Sequence, residues 1–418
     1  MTSRPTWAEI NLDAVAFNAR QMQQVVGERT QLFAVVKANA YGHGMLPVVK
    51  TLLSVGVSTF CVASVDEGME LRTAGIDAPV LVLSATLPEE SAAIVAHDLT
   101  PTVSSLEVAE SLNEAAEQAG KALNVHVKVD TGMGRFGVWH EEAETFIARV
   151  TALPHLRLQG VLTHYASAEE DDLTVTIQQT HYFAQLRERL LARWHVSTLA
   201  RWNVGTLERW NVQTCQPANL STCQPANLPT CQRANVPTCQ PANAPTFHAA
   251  NSAAALRLAA SHFDAIRPGL ALYGVSPFRS SSLNSLPLRP AMSLKTRLVF
   301  LKQVPAGRAL SYGGTHVTSQ PTTIAILPLG YADGYPRALS NRGVVLVRGR
   351  RCPVVGRVTM DSTLIDVGAI DGVRVGEEAV IFGEGLPVEE VATLANTIPY
   401  EILCGIRQRV PRVYTSSH

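Results

Sequence analysis

Ala34-Val35-Val36-Lys37-Ala38-Asn39-Ala40-Tyr41-Gly42-His43-Gly44 places one lysine at the end of an apolar run, with a tyrosine and two glycines just behind it. Leu32 to Val36 is short, apolar and partly β-branched, which predicts a buried strand. Gly42 and Gly44 break it before a helical pattern resumes near Met45. An amine at the mouth of a strand, partly withdrawn from water, has a lowered pKa and can form a Schiff base with an aldehyde cofactor. Taken alone, Lys37 also fits a surface lysine in a strand–helix turn.

Further chemistry-bearing residues follow other apolar runs. Lys128-Val129-Asp130-Thr131-Gly132-Met133-Gly134-Arg135 ends on a guanidinium, which grips a carboxylate with two parallel hydrogen bonds. Thr163-His164-Tyr165 and Asn251-Ser252-Ala253-Ala254 close two more runs, and Arg267-Pro268-Gly269-Leu270 a third. Gly132 to Gly137 also spells G-x-G-x-x-G after a strand. No acidic residue stands about twenty positions on for a ribose hydroxyl, so a dinucleotide site is rejected.

The elements that must hold these residues alternate. Strands are predicted at Leu32–Val36, Thr59–Ala63, Val80–Ser84, Thr100–Val103, Val125–Asp130, Leu158–His164, His248–Asn251 and Asp264–Arg267, most with a helix before the next. Helix 107–119 carries Leu112, Ala115, Ala116 and Ala119 on one face. Ahead of them, Trp7 to Leu12 alternates like a strand and a helix begins near Asp13, a candidate N-cap. Eight strands with intervening helices predict an α/β fold, a (β/α)8 TIM-like barrel over residues 1–284; a doubly wound open sheet is the alternative. From residue 285 to 418 short β-like runs separated by turns predict a mainly β second domain, with one helix near 391–398.

With 418 residues, zero formal net charge and 17% charged residues, the chain shows no sign of a nucleic-acid or anionic-membrane partner. The N-terminus lacks a basic segment followed by an apolar one, and no run is long enough to span a bilayer. Seven cysteines, four of them in one repeat, make no disulfide framework and favour a reducing cytoplasm.

The lysine string resembles the pyridoxal-phosphate motif of the alanine racemase family (fold-type III), and matches it throughout. The segments around Arg135, His164, Ser252 and Arg267 resemble that family too, in the family's order, as do Leu310-Ser311-Tyr312-Gly313-Gly314-Thr315, Met360-Asp361 and Ile398-Pro399-Tyr400-Glu401. The resemblance implies pyridoxal 5′-phosphate as cofactor, joined to Lys37. Its phosphate would be met by Tyr41, Ser252, Tyr400 and the amides of Gly269 and Leu270. Arg267 would face the pyridine nitrogen with His164 beside it. Arg135 and the Met360 amide would bind the substrate carboxylate. Lys37 and Tyr312 would be the two bases, Tyr312 coming from the partner of a head-to-tail homodimer. In some family members the lysine matching Lys128 is carbamylated and steadies the arginine. The implied reaction interconverts L- and D-alanine, supplying D-alanine for peptidoglycan. A broader amino-acid (serine) racemase shares that mechanism. A non-catalytic pyridoxal-phosphate barrel usually lacks the β domain that carries Tyr312.

One segment belongs to none of this. From Thr198 to Pro245 the chain repeats every eight residues, with four cysteines at that spacing. The period fits neither a helix face nor a common solenoid, and the prolines oppose both helix and central strand. Zinc ligands usually come as cysteines two to four apart, so no metal site is expected. A translated DNA repeat accounts for the period. The insert occupies a loop on the face opposite the chemistry, where each doubling of loop length costs only about 0.6 kcal/mol. Deleting Thr198–Pro245 should therefore leave racemisation rates largely unchanged in a chiral assay; loss of activity in a folded deletion variant would show that the insert participates.

Overall fold

The computed structural model describes residues 4–202, 244–278 and 286–416. Eight parallel strands close into a barrel: Gln31–Val35, Thr59–Val62, Val80–Val82, Thr100–Val103, Leu123–Asp130, Leu156–Leu162, Thr246–His248 and Ala265–Ile266. Thr102 pairs with His126 in the middle of the ring, and Ala265 pairs with Gln31 to complete it. An open doubly wound sheet is thereby excluded. Barrel strands are buried on both faces, so they read as continuous apolar runs rather than alternating ones. Leu123–Asp130 departs from this: Val125, Val127 and Val129 occupy one face, and His126, Lys128 and Asp130 the other, all six buried.

The first strand, Thr6–Asn11, does not join the barrel. It pairs antiparallel with Met292–Arg297 and parallel with Arg412–Thr415 in the six-stranded sheet of the β domain. Its pattern explains this. Thr6, Ala8 and Ile10 are buried while the residues between them are not, and a barrel strand needs both faces covered. The following helix spans Leu12–Val26 and is capped by Asn11, whose Oδ1 accepts from Ala14 N at 2.9 Å. Asp13 lies instead in the first turn, where its charge favours the helix dipole.

The β domain also contains a three-stranded antiparallel sheet, Phe300–Val304, Thr322–Leu327 and Thr363–Asp366, and a two-stranded hairpin of Ala309–Leu310 with His316–Val317. Two helices follow, Val388–Ala395 and Pro399–Gly405, where one near 391–398 was expected. Asn396, in the left-handed conformation, ends the first, and Pro399 starts the second. The repeat beyond Trp202 and the expected domain boundary near 284 lie outside the described residues.

Asn18 joins the two halves of the chain. Fully buried on the first helix, it donates to Leu272 O at 3.1 Å and Arg289 O at 2.8 Å, and its Oδ1 accepts from Arg289 N at 2.8 Å. Asn18→Leu leaves these backbone groups unpaired in the interior. It should cost about 2–4 kcal/mol in urea denaturation, a loss under about 0.5 kcal/mol contradicting this role.

Candidate active site

Lys37 leaves the barrel immediately after Gln31–Val35 and is half-buried. Burial lowers its pKa, Arg135 lowers it further, and Glu67 opposes both. The backbone behind it is unusual. Ala38, Asn39, Ala40 and Tyr41 have φ of 52°, 53°, 54° and 53°, a turn of left-handed helix made without glycine. Each such residue costs roughly 1–2 kcal/mol, so the surroundings must impose the shape. Gly42 follows at φ 83°, and a Cβ there would lie 2.3 Å from Leu403 O of the β-domain helix. Arg412 Nε donates to Gly42 O at 2.9 Å. The β domain thus presses directly on the turn that carries the lysine.

Arg267 follows Ala265–Ile266, the neighbouring strand, and is 3% exposed. No carboxylate pairs with it among the described residues. Its Nη1 donates to His248 Nδ1 at 2.6 Å; its Nη2 donates to Thr163 O at 2.6 Å, Ala249 O at 3.0 Å and His164 Nδ1 at 3.2 Å. Burial lowers the guanidinium to about 10, so it remains a cation at neutral pH and only donates. That assigns the tautomers. His248 and His164 accept at Nδ1, so His248 carries its proton on Nε2 and donates to His126 Nδ1 at 2.8 Å. Burial and the Arg267 charge hold His164 and His248 well below the ordinary imidazole range, and burial takes His126 to about 3.

Arg135 is placed by Asp130. Asp130 Oδ1 accepts from the N–H groups of Gly132, Met133 and Gly134 at 2.9, 2.8 and 3.2 Å, and Oδ2 from Arg135 N at 3.2 Å. Burial works against the charged carboxylate, but these bonds and Lys128 outweigh it and hold Asp130 below the usual range. Lys128 Nζ is buried without a hydrogen-bond partner and lies 4.7 Å from the centre of the Phe136 ring, with the Arg135 guanidinium 5.6 Å from the same ring. Burial, with Arg267 and Arg135 nearby, takes the Lys128 amine down to about 7. Gln179 ties the neighbouring loops together, donating to Thr131 Oγ1 at 3.2 Å and His164 O at 3.0 Å.

Ser252 Oγ accepts from Gly269 N at 3.0 Å and Ala271 N at 3.2 Å, bringing the ends of the last two barrel strands together. A Cβ on Gly269 would lie 2.4 Å from Tyr41 Oη, and the Tyr41 and Tyr400 rings are 5.8 Å apart. Tyr41, Ser252, Gly269, Leu270 and Tyr400 therefore form one cluster from both domains. Tyr312 and Met360 stand apart. Tyr312 caps the short hairpin of the β domain at 73% exposure, and Met360 is 53% exposed. Among the described residues no hydrogen bond or ring contact joins either to Lys37.

The family model described as "Alanine racemase, N-terminal domain" matches residues 10–211 and 230–277, and "Alanine racemase, C-terminal domain" matches 291–414. The chain belongs to the alanine racemase family. The stretch left out between the two parts of the first match, 212–229, falls within the octapeptide repeat. An alanine racemase of Halothermothrix orenii is 41% identical over 416 residues, covering 99% of this chain and 97% of its own length. One from Carboxydothermus hydrogenoformans is 42% identical over 415 residues, covering 98% and 100%. Among solved structures, alanine racemase of Clostridium difficile superposes with a TM-score of 0.82 at 33% identity, covering 100% of this chain and 97% of its own. That of a D-cycloserine-producing Streptomyces lavendulae gives 0.82 at 34%, covering 100% and 99%.

Sequence reading did not assign His126, His248, Glu67 or Gln179. A polar period of two at His126, Lys128 and Asp130, inside a barrel strand, was the available signal for the first. Acid should expose the cost of the buried imidazoles. His43 falls to about 4 and His126 to about 3, mainly through burial, with His164 and His248 also lowered. A depressed folded-state pKa contributes stability above the unfolded value of about 6.5, lost as pH falls toward the folded value, by up to about 1.4 kcal/mol per pH unit per histidine. The urea midpoint should therefore drop steeply between about pH 6.5 and 4.5; an unchanged midpoint over that window would contradict neutral burial.

Proposed function

We propose that this alanine racemase family member works with pyridoxal 5′-phosphate seated at the C-terminal rim of the barrel, and that two copies of the chain complete each site. A half-buried amine of lowered pKa, at the same rim as a buried guanidinium that pairs with no carboxylate among the described residues, carries the reading. The residues present fit this cofactor. Lys37 offers an amine, Arg267 a fixed positive charge, and the Tyr41, Ser252, Gly269, Leu270 and Tyr400 cluster a polar seat for the phosphate. When bound, the cofactor supplies an electron sink that acidifies the Cα–H of an amino acid.

Each residue then has one task. Lys37 Nζ, its pKa lowered by burial and Arg135, takes or returns the proton on one face of the substrate. Arg267 would present a fixed positive charge to the cofactor ring, where most such enzymes place a carboxylate. That charge would disfavour a proton on the ring nitrogen and so weaken electron withdrawal there, favouring prompt return of the proton to the substrate over side reactions. Its hydrogen bonds to the carbonyls of Thr163 and Ala249, with His248 behind and His164 beside it, hold that charge in place. Arg135, aimed by the Asp130 loop, binds the substrate carboxylate. Lys128, with an orphaned amine near pH 7, is suited to the carbamylation implied by the family and would then offer Arg135 a negative partner.

Tyr312 and Met360 act on the partner's site. Their exposure on the β domain, with no contact to the Lys37 side of their own chain among the described residues, supports this by leaving both open to a second copy. The product supplies D-alanine for peptidoglycan precursors in the cytoplasm. Among the described residues no helix is long and apolar enough to cross a membrane.

Two substitutions separate the roles. Lys37→Ala should abolish both the absorbance of lysine-bound cofactor and racemisation. Tyr312→Ala should keep that absorbance yet slow proton removal from one enantiomer about 100-fold or more in solvent-isotope exchange. Equal loss for both enantiomers would overturn the two-base assignment.

A further inference from the structure

We propose that Glu67 is a positioning residue for Lys37: its carboxylate spans two neighbouring strand ends and holds the left-handed turn that aims the lysine. This rests on Lys37 being the reactive amine. Glu67 lies in the first turn of the helix Val65–Thr73, whose N-cap is Ser64. One carboxylate oxygen accepts from Ala38 N, immediately after the lysine, at 2.6 Å. The other accepts from Ala63 N, just past the Thr59–Val62 strand, at 2.7 Å. Both oxygens are therefore committed, each to the first loop of an adjacent barrel strand.

The turn needs such a clamp. Four consecutive side-chain-bearing residues do not adopt left-handed φ unless their backbone groups are tied down from outside. Glu67 holds the first N–H. Asn39 Oδ1 accepts from Met45 N at 2.7 Å, and His43 Nδ1 donates to Ala40 O at 2.9 Å and Tyr41 O at 3.0 Å. Of these contacts within the barrel, only Glu67 reaches across to another strand and brings charge; Arg412 of the β domain holds Gly42 O from the far end of the turn.

That charge acts on the lysine amine. The groups acting on Lys37 are Arg135, Glu67, Cys404 on the Pro399–Gly405 helix and Cys61 on the Thr59–Val62 strand. Burial raises Cys61 to about 12 and also raises Cys404, so both thiols stay protonated at neutral pH. Glu67 is left as the anionic group opposing burial and Arg135. Glutamine cannot substitute, because it has one acceptor and one donor, and the donor would face an N–H. Aspartate is one methylene short of spanning both.

The test compares wild type, Glu67→Gln and Glu67→Asp as full-length protein. The cofactor-free form of each is acetylated with a small reagent across pH, and Lys37 modification is read by peptide mass spectrometry. Loss of the neighbouring negative charge should shift the Lys37 titration downward by about half a pH unit or more in Glu67→Gln. Reloaded with pyridoxal phosphate, that variant should lose at least about tenfold in kcat with KM changed less than about threefold, and Glu67→Asp should recover part of the loss. An unmoved Lys37 titration, or unchanged kcat with only a lowered Tm, overturns the proposal. If Glu67→Gln does not fold, the double variant Ala38→Gly with Glu67→Gln relieves the left-handed strain. It should fold and show the same titration shift; a wild-type titration there overturns the proposal equally. The titration reads the amine without turnover. An error in assigning Lys37 as the catalytic base would instead appear as an active Lys37→Ala.

Discussion

A guanidinium buried in the barrel with no anionic partner among the described residues is the constraint around which the site is built. Removing a cation from water is costly unless its hydrogens are taken up. Arg267 meets that demand with two backbone carbonyls and two imidazoles. Because an arginine only donates, both imidazoles must accept, and because they sit beside a cation in the interior, both stay neutral. Burial, with the same charge beside it, also depresses the Lys128 amine. Burial and one fixed cation together therefore bias several neighbours toward their neutral forms.

The lysine is governed by a different force, backbone strain. The turn behind it adopts a conformation that side-chain-bearing residues avoid, and it is held from two directions. The barrel contributes Glu67, His43 and the Asn39 side chain. The β domain contributes Leu403, which packs against Gly42, and Arg412, which binds its carbonyl. The second domain is thus structural for the first as well as the bearer of Tyr312 and Met360. The N-terminal strand adds to this coupling, since it leaves the β-domain sheet and leads at once into a helix whose Asn18 is bonded to both Leu272 and Arg289.

Much of this was legible in the residues. Eight apolar runs interleaved with helical patterns announced parallel strands, and Lys37, Arg135, His164, Ser252 and Arg267 each follow one of them. The left-handed turn was not legible, because Ala38, Asn39 and Ala40 carry no glycine to mark a positive φ. Nor was the pairing of the first strand, whose alternation suits any half-buried sheet.

The sequence by itself determined the succession of elements and the chemical types at the strand ends, because hydrophobic period and side-chain chemistry are local properties. Tertiary structure alone decided that the sheet closes, that His126 and His248 stand in line behind Arg267, and that Glu67 reaches the residue after the lysine. Those relations join positions from 19 residues apart, His248 and Arg267, to 234 apart, Gln31 and Ala265, so no local period encodes them; they follow from strand register and burial in three dimensions.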